Sequence, residues 1–301
     1  MESLEQLRGR FEALTDLQAL VGTMKALAGV GVHRLDEAAR SVAQYYRTVE
    51  LGLHVMLRAA PEGPVRPARA RAARGAIVFG SDHGLCGRFN EDLVEFAAER
   101  MAALVRDDRP LRLLAVGARA GSLLESRGRP PEAEFFVPGT PEAATPSVRE
   151  ILSKVDDWRA EGVDEVVMVH QRPRPNGRCR PVLVPLLPVA PRRFRSIEEQ
   201  PWASRSLPMF TMAPAALLSA LLRQYFFVSV LRALIESIAA ENASRLAAMQ
   251  AAERSLDERG AELLAELRRK RQDRITDELL DIVSGYEALG GAGGPGGPRG
   301  R

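Results

Sequence analysis

From its first residue to about Arg58 the chain carries no proline, and its apolar side chains recur at Leu4, Leu7, Phe11, Leu14, Val21, Ala28, Val32, Leu35, Ala39, Val42, Tyr46, Val49, Leu53 and Met56. Steps alternating between three and four residues, interrupted only at Gln18 and Lys25, put all of these on one stripe of a helix, which is the pattern of a coiled-coil seam. At 1.5 Å per residue such a helix is about 80 Å long, more than a small globule can enclose. A second proline-free run follows Pro214, placed as a first-turn proline, with a seam at Leu246, Met249, Leu256, Leu263 and Leu267 that resumes at Ile275, Leu279, Val283 and Tyr286. Two long helices with one apolar stripe each bury those stripes most economically on each other, as an antiparallel coiled coil of residues 1–58 and 209–289.

Between them the character changes. Pro61, Pro64 and Pro67 break the first helix, and residues 73–200 contain the short runs "GAIVFG", "LRLLAVG", "AEFFV", "DEVVMVHQ" and "RPVLVPLLPV", the first four separated by helical stretches. That alternation predicts an inserted α/β domain with an open, largely parallel, Rossmann-like sheet. The closing residues 290–301 are Gly/Pro-rich and are predicted to be a disordered tail.

Composition excludes several classes of function. The N-terminus carries acidic residues in an amphipathic pattern with no unbroken apolar stretch, so neither a signal peptide nor an anchor is expected there. The apolar stretch 213–240 is interrupted by Arg223, Gln224, Arg232 and Glu236 at helical intervals and reads as amphipathic helix. Cys86 and Cys179 form no C-x-x-C pair, and the four histidines show no ligand spacing, so no metal or disulfide framework is expected. Net charge is only +3; the basic run Arg268–Arg274 lacks interleaved aromatics, which favours a solvated face over nucleic-acid binding.

The stretch with the most chemistry in its letters is "GSDHGLCGRFN", Gly80–Asn90, between a strand and a helix. A strand, a glycine-rich turn and a helix N-terminus are the parts of an anion site, yet neither G-x-x-x-x-G-K-[ST] nor G-x-G-x-x-G is present. Ser81, Asp82, His83 and Cys86 are the residue types of a nucleophile and its base, but neighbours in a tight turn point apart rather than converge. The structural reading is that Asp82 supports the turn, glycines supply unusual backbone angles and Cys86 packs as a small apolar group. In the first helix Gly22, Gly29 and Gly31 each cost about 1 kcal/mol relative to Ala, which close backbone approach to a neighbour would offset; local helix irregularity is the other reading.

The order of long helix, inserted α/β domain and long helix resembles the γ subunit of F-type ATP synthases. "SDHGLCGRFN" is similar to that family's S-D-R-G-L-C-G-x-x-N at Ser81, Asp82, Gly84, Leu85, Cys86, Gly87 and Asn90, with His83 in place of Arg. "ENASRLAAMQAA" resembles S-E-x-x-x-R-x-x-A-M-x-x-A at Glu241, Arg245, Ala248, Met249 and Ala252, and "RQDRITDELLDIVSG" resembles R-Q-x-x-I-T-x-E-L-x-E-I-V-S-G, with Asp281 for Glu. The N-terminal helix departs further, keeping Met24, Lys25 and Ala28 but losing flanking lysines, as in a divergent member from an alternative ion-translocating ATPase of this type.

The resemblance implies a central rotor stalk, one copy per complex, with α, β and ε subunits and a membrane c-ring as partners. It places the complex at the cytoplasmic face of a bacterial inner membrane. Catalysis would belong to the β subunits, so no catalytic residue, cofactor or metal is expected in this chain. Met24 and Lys25 on the first helix, and Arg271, Gln272, Thr276 and Glu278 on the last, match the family's contacts with the catalytic ring. Two other classes compete: a Rossmann-like enzyme binding a small molecule in the inserted domain, and a basic coiled-coil protein binding nucleic acid.

Overall fold

The computed structural model describes residues 3–59, 73–104, 109–174, 179–188, 202, 206 and 209–290. The proline-rich linker after the first helix and nearly all of the Gly/Pro tail expected over 290–301 lie outside them. Ten elements are described: helix α1 (Leu4–Ala59), strand β1 (Ala73–Phe79), α2 (Phe89–Leu104), β2 (Leu111–Val116), α3 (Ala118–Ser126), β3 (Ala133–Phe135), α4 (Ala144–Ala160), β4 (Val163–Pro173), β5 (Cys179–Leu187) and α5 (Pro214–Gly290). The chain divides into two compact units, Met1–Met24 with Met249–Arg301, and Lys25–Ala248.

In the first unit α1 starts at a capping box: the Gln6 amide donates to Ser3 Oγ at 3.2 Å and the Ser3 amide to Gln6 Oε1 at 2.8 Å. Leu7, Leu14 and Val21 are buried, seven residues apart. Gln18 donates to Asp257 at 2.8 Å, and a side chain at Gly260 would meet Leu14 at 3.3 Å, so the two helix segments run antiparallel and close. From Arg271 to Tyr286 every position of α5 is exposed. The seam residues Ile275, Leu279, Val283 and Tyr286, expected to be covered, are 50%, 57%, 52% and 80% exposed, and among the described residues no turn of α1 stands opposite them.

In the second unit the sheet has the order β3-β2-β1-β4-β5, with β3, β2, β1 and β4 parallel and β5 antiparallel at the edge. One face carries Ala76, Val78, Leu113, Ala115 and Val169 under α2 and α3. The other carries Ile77, Phe79, Leu114, Val116 and Met168 under Trp158 and its neighbours on α4 and under Val230–Ile238 of α5. Strict alternation along β1 thus feeds two cores, which makes this a three-layer α/β unit with the C-terminal helix as part of one layer. Gly75 lies beneath the Trp158 ring, where a Cβ would stand 2.4 Å from the ring carbon, so only glycine fits.

Segments of α1 and α5 also pair antiparallel in this unit, through Val49, Leu53, Tyr225 and Val228. Gly31 abuts Asn242, where a Cβ would be 2.5 Å from Oδ1, whereas Gly22 and Gly29 face open space. Close approach therefore accounts for one of the three helix glycines. By length and composition α5 contains an 18-residue window apolar enough to cross a membrane; in this fold Val228, Val230, Leu231, Leu234 and Ile235 are buried against the sheet and α1.

Candidate functional site

The strand order reverses direction between β1 and β4, and in open α/β sheets a ligand binds beyond the strand ends at such a reversal. Here α5 crosses that edge. Ser237 Oγ donates to the carbonyl of Phe79, the last residue of β1, at 2.7 Å. The turn Gly80–Asn90 packs beside it, with Cys86 and Phe89 buried against Ala240.

Of the reactive letters of the turn, Ser81, Asp82 and Cys86 are committed to structural bonds, while the exposed His83 takes part through its backbone carbonyl. Asp82 leaves the turn and accepts two backbone N–H groups, Ala118 at the start of α3 on Oδ1 and Val137 after β3 on Oδ2, both at 3.0 Å. Ser81 Oγ donates to the His83 carbonyl at 2.7 Å and accepts from Asn90 Nδ2 at 2.8 Å, while the Ser81 amide donates to Asn90 Oδ1 at 3.1 Å. Burial pushes the Cys86 thiol above its ordinary pKa of 9.0, against a smaller opposing effect of Ser81, so the nucleophilic thiolate is disfavoured. Glu91 and Asp92 occupy the first turn of α2 and already complement its N-terminal dipole. These bonds brace the turn.

Of the expected unusual backbone angles, Gly87 has a φ of +61°, but the second such residue is Leu85, also at +61°, while no positive φ occurs at Gly84. Leu85 is 59% exposed. The Gly84 carbonyl instead accepts from Arg245 of α5 at 3.3 Å, and Arg245 is held by Glu241 at 2.6 Å. Burial raises the Glu241 carboxyl above its ordinary 4.5, and Arg245 opposes that. The turn and the Glu241–Arg245 pair, two motifs some 160 residues apart, therefore form one joint, in which Gly87 also approaches Ala248.

A second polar joint escaped the sequence reading. His170 and Arg172 of β4 and Arg232 of α5 all donate to Glu236, at 2.9, 2.8 and 2.7 Å. Burial alone would raise the Glu236 carboxyl; the three donors outweigh it and hold it at about 2. Burial, opposed by Glu236, lowers His170 below its ordinary 6.5. The signal that could have found this joint was a pair of charges four apart, Arg232 and Glu236, in the most apolar part of a helix.

Of the six residues expected to contact the ring, the five in the first unit do not converge. Met24 is half-buried in the first unit and Lys25 half-buried in the second. Arg271, Gln272, Thr276 and Glu278 are exposed along α5, with Thr276 donating to the Gln272 carbonyl at 2.9 Å and Glu278 accepting from Arg274 at 3.0 Å. Measured from the Gln18–Asp257 contact, Met24 and Arg271 lie in opposite directions along the pair, about 30 Å apart at 1.5 Å per residue. They are two surfaces, not one site. Among the described residues no group of three or more His, Cys, Asp or Glu could hold a metal ion.

A family profile described as ATP synthase matches residues 3–289. The chain belongs to the ATP synthase gamma-chain family. It is 29% identical over 317 residues to the ATP synthase gamma chain of a Cyanothece species, covering 96% of this chain and 100% of that one. Against the gamma chain of Pelotomaculum thermopropionicum it is 28% identical over 292 residues, with the same coverage. In fold it is similar to a chain of the rotor of the Euglena gracilis mitochondrial ATP synthase, at a TM-score of 0.66 and 13% identity over 90% of this chain and 98% of that one. The central stalk and c-ring structure of the Tetrahymena thermophila enzyme gives 0.53 and 20%, over 77% of this chain and 99% of that one. The turn and the Glu241–Arg245 pair are the two halves of one seat of the sheet on the last helix.

Proposed function

We infer that the chain is the central rotor stalk of an F-type ATP synthase, coupling ion flow through a membrane ring to ATP synthesis or hydrolysis by rotation, without carrying out catalysis itself. The observation that carries this reading is the end of α5. Ile275, Leu279, Leu280, Ile282, Val283 and Tyr286 are all at least half exposed on one helix, with no α1 turn opposite among the described residues. A contiguous exposed apolar surface of that kind marks a protein contact. A sleeve formed by α and β subunits covers it, and the ε subunit and c-ring hold the inserted domain at the cytoplasmic face of the bacterial inner membrane.

The stalk works by asymmetry. At any angle it touches chemically identical β subunits differently, and only differential contact biases them toward different nucleotide affinities. Arg271, Gln272, Thr276 and Glu278, with Met24 and Lys25, are the proposed torque contacts. Ser81, Asp82, Gly84, Leu85, Cys86, Gly87 and Asn90 belong to the architecture of the domain. Replacing Arg271 and Gln272 with Ala tests the assignment: assembly or coupled turnover of the reconstituted complex should fall, and unchanged ATPase and ion pumping would refute it.

A further inference from the structure

The sheet is held on α5 mainly by apolar contact, through Val230, Leu231, Leu234, Ile235 and Ile238. Such contact is strong but has no direction, so it resists separation far better than it resists sliding or turning. Direction comes from polar bonds. Glu236 places both carboxylate oxygens in fixed bonds, Oε2 accepting from His170 Nε2 and Arg172 Nε of β4, and Oε1 accepting from Arg232 Nε one turn back on α5. Charge-assisted bonds of this length tolerate little angular error.

The third element is α1. The Arg232 guanidinium lies 5.2 Å from the centre of the Tyr46 ring, and the Tyr46 and Tyr225 hydroxyls are 3.3 Å apart. Glu236 is thus a carboxylate around which sheet, first helix and last helix meet, beside a cavity of about 60 Å³ lined by Tyr46, His170, Tyr225 and Ser229. A buried ionic cluster adds little net stability over an apolar one of the same shape, but it specifies a single arrangement.

We propose that Glu236 is a positioning residue that sets the angle of the inserted domain on the helix pair, so that torque entering through the domain reaches the helices without slip. This rests on the rotor reading. It predicts a defect in coupling rather than in assembly or chemistry, since Glu236 is remote in sequence from the exposed end of α5 that carries the proposed ring contacts.

The test uses the complex reconstituted with its α, β, ε and membrane subunits, comparing ATP hydrolysis with ATP-driven ion pumping per assembled complex. In Glu236→Gln, hydrolysis should stay within about twofold of the parent while the ratio of pumping to hydrolysis falls about threefold or more, the scale on which a coupling element acts. A residue that only stabilised the fold would reduce the amount of complex and leave that ratio unchanged; an unchanged ratio overturns the proposal. If Glu236→Gln does not assemble, Arg172→Lys decides the matter, because it keeps the charge but loses the planar fork. A lowered ratio in that variant supports the clamp and an unchanged ratio refutes it. If the parent chain itself forms no ATPase with α and β subunits, the rotor reading has failed, and amide exchange still tests the clamp: it should rise over 168–172 and 232–240 in Glu236→Gln, and equal exchange refutes it.

Discussion

Replacing Asp82 separates architecture from active site most cleanly, because this carboxylate is the most reactive-looking group in the turn and reaches well outside it. Each oxygen accepts one backbone N–H, from Ala118 and from Val137, at 3.0 Å. Hydrogen bonds to a charged group contribute about 1.5–3 kcal/mol each, so Asp82→Ala should cost about 3 kcal/mol after partial rescue of the helix-end N–H by water. Asp82→Asn keeps one acceptor and should cost about half as much. Trp158 is fully buried on the sheet and reports unfolding of that unit by its emission. The urea midpoint should fall with an unchanged slope, and the melting temperature should drop by about 6–12 °C for the alanine variant. ATP hydrolysis per assembled complex should be normal. A stability change below about 0.5 kcal/mol combined with collapsed hydrolysis would refute the argument.

The helix glycines provide a sign test: Gly22→Ala and Gly29→Ala face open space and should each stabilise by up to about 1 kcal/mol, whereas Gly31→Ala meets Asn242 and should destabilise. Equal effects at all three positions would show that the close approach does not matter. Leu53, fully buried between α1 and α5, should cost about 2–5 kcal/mol when cut to Ala, read from thermal unfolding. Acid should weaken the fold in two windows. His170 has its pKa lowered by burial, so its contribution is present above about 6.5 and is lost as pH falls below that. Glu236, held at about 2 against 4.5 unfolded, contributes above about 4.5 and loses that contribution toward pH 2. Urea midpoints across pH check both, and Glu236→Gln should shrink the lower window to the share of Glu132, which Arg112 also holds at about 2. Finally, Leu279→Ala and Ile282→Ala, both more than half exposed, should leave the isolated chain's stability within about 0.5 kcal/mol while weakening binding to α and β subunits in a pull-down titration.

What could be read from the sequence was what depends on near neighbours. The repeat through Leu7, Leu14, Val21, Ala28 and Leu35 is local, so the long helices and their seam followed from it, and Val/Leu-rich runs marked β1, β2 and β4. The wrong half of the seam, at Ile275 to Tyr286, has the same spacing as the covered half; spacing reports a face, not whether a partner turn stands opposite it. Nothing near Asp82 in sequence shows that it braces Ala118 and Val137, 36 and 55 residues away. Likewise His170 and Arg172 are joined to Glu236 across more than 60 residues. Leu85 took the left-handed backbone angle while Gly84 did not, because the φ at a tight turn is set by where its carbonyls must point, here with Gly84 O toward Arg245. In the candidate site, the sequence already favoured a structural turn, and the long-range hydrogen bonds show which distant groups it braces.

The central claim is that this chain is a rotor whose exposed helix end completes a ring of other subunits. Co-expression with α and β subunits, followed by size separation and an ATPase assay, tests it most directly. The account predicts one copy of this chain in an assembled ATPase, lost when α5 is truncated before Arg271. An active ring of normal composition that excludes this chain, or one indifferent to that truncation, would contradict it.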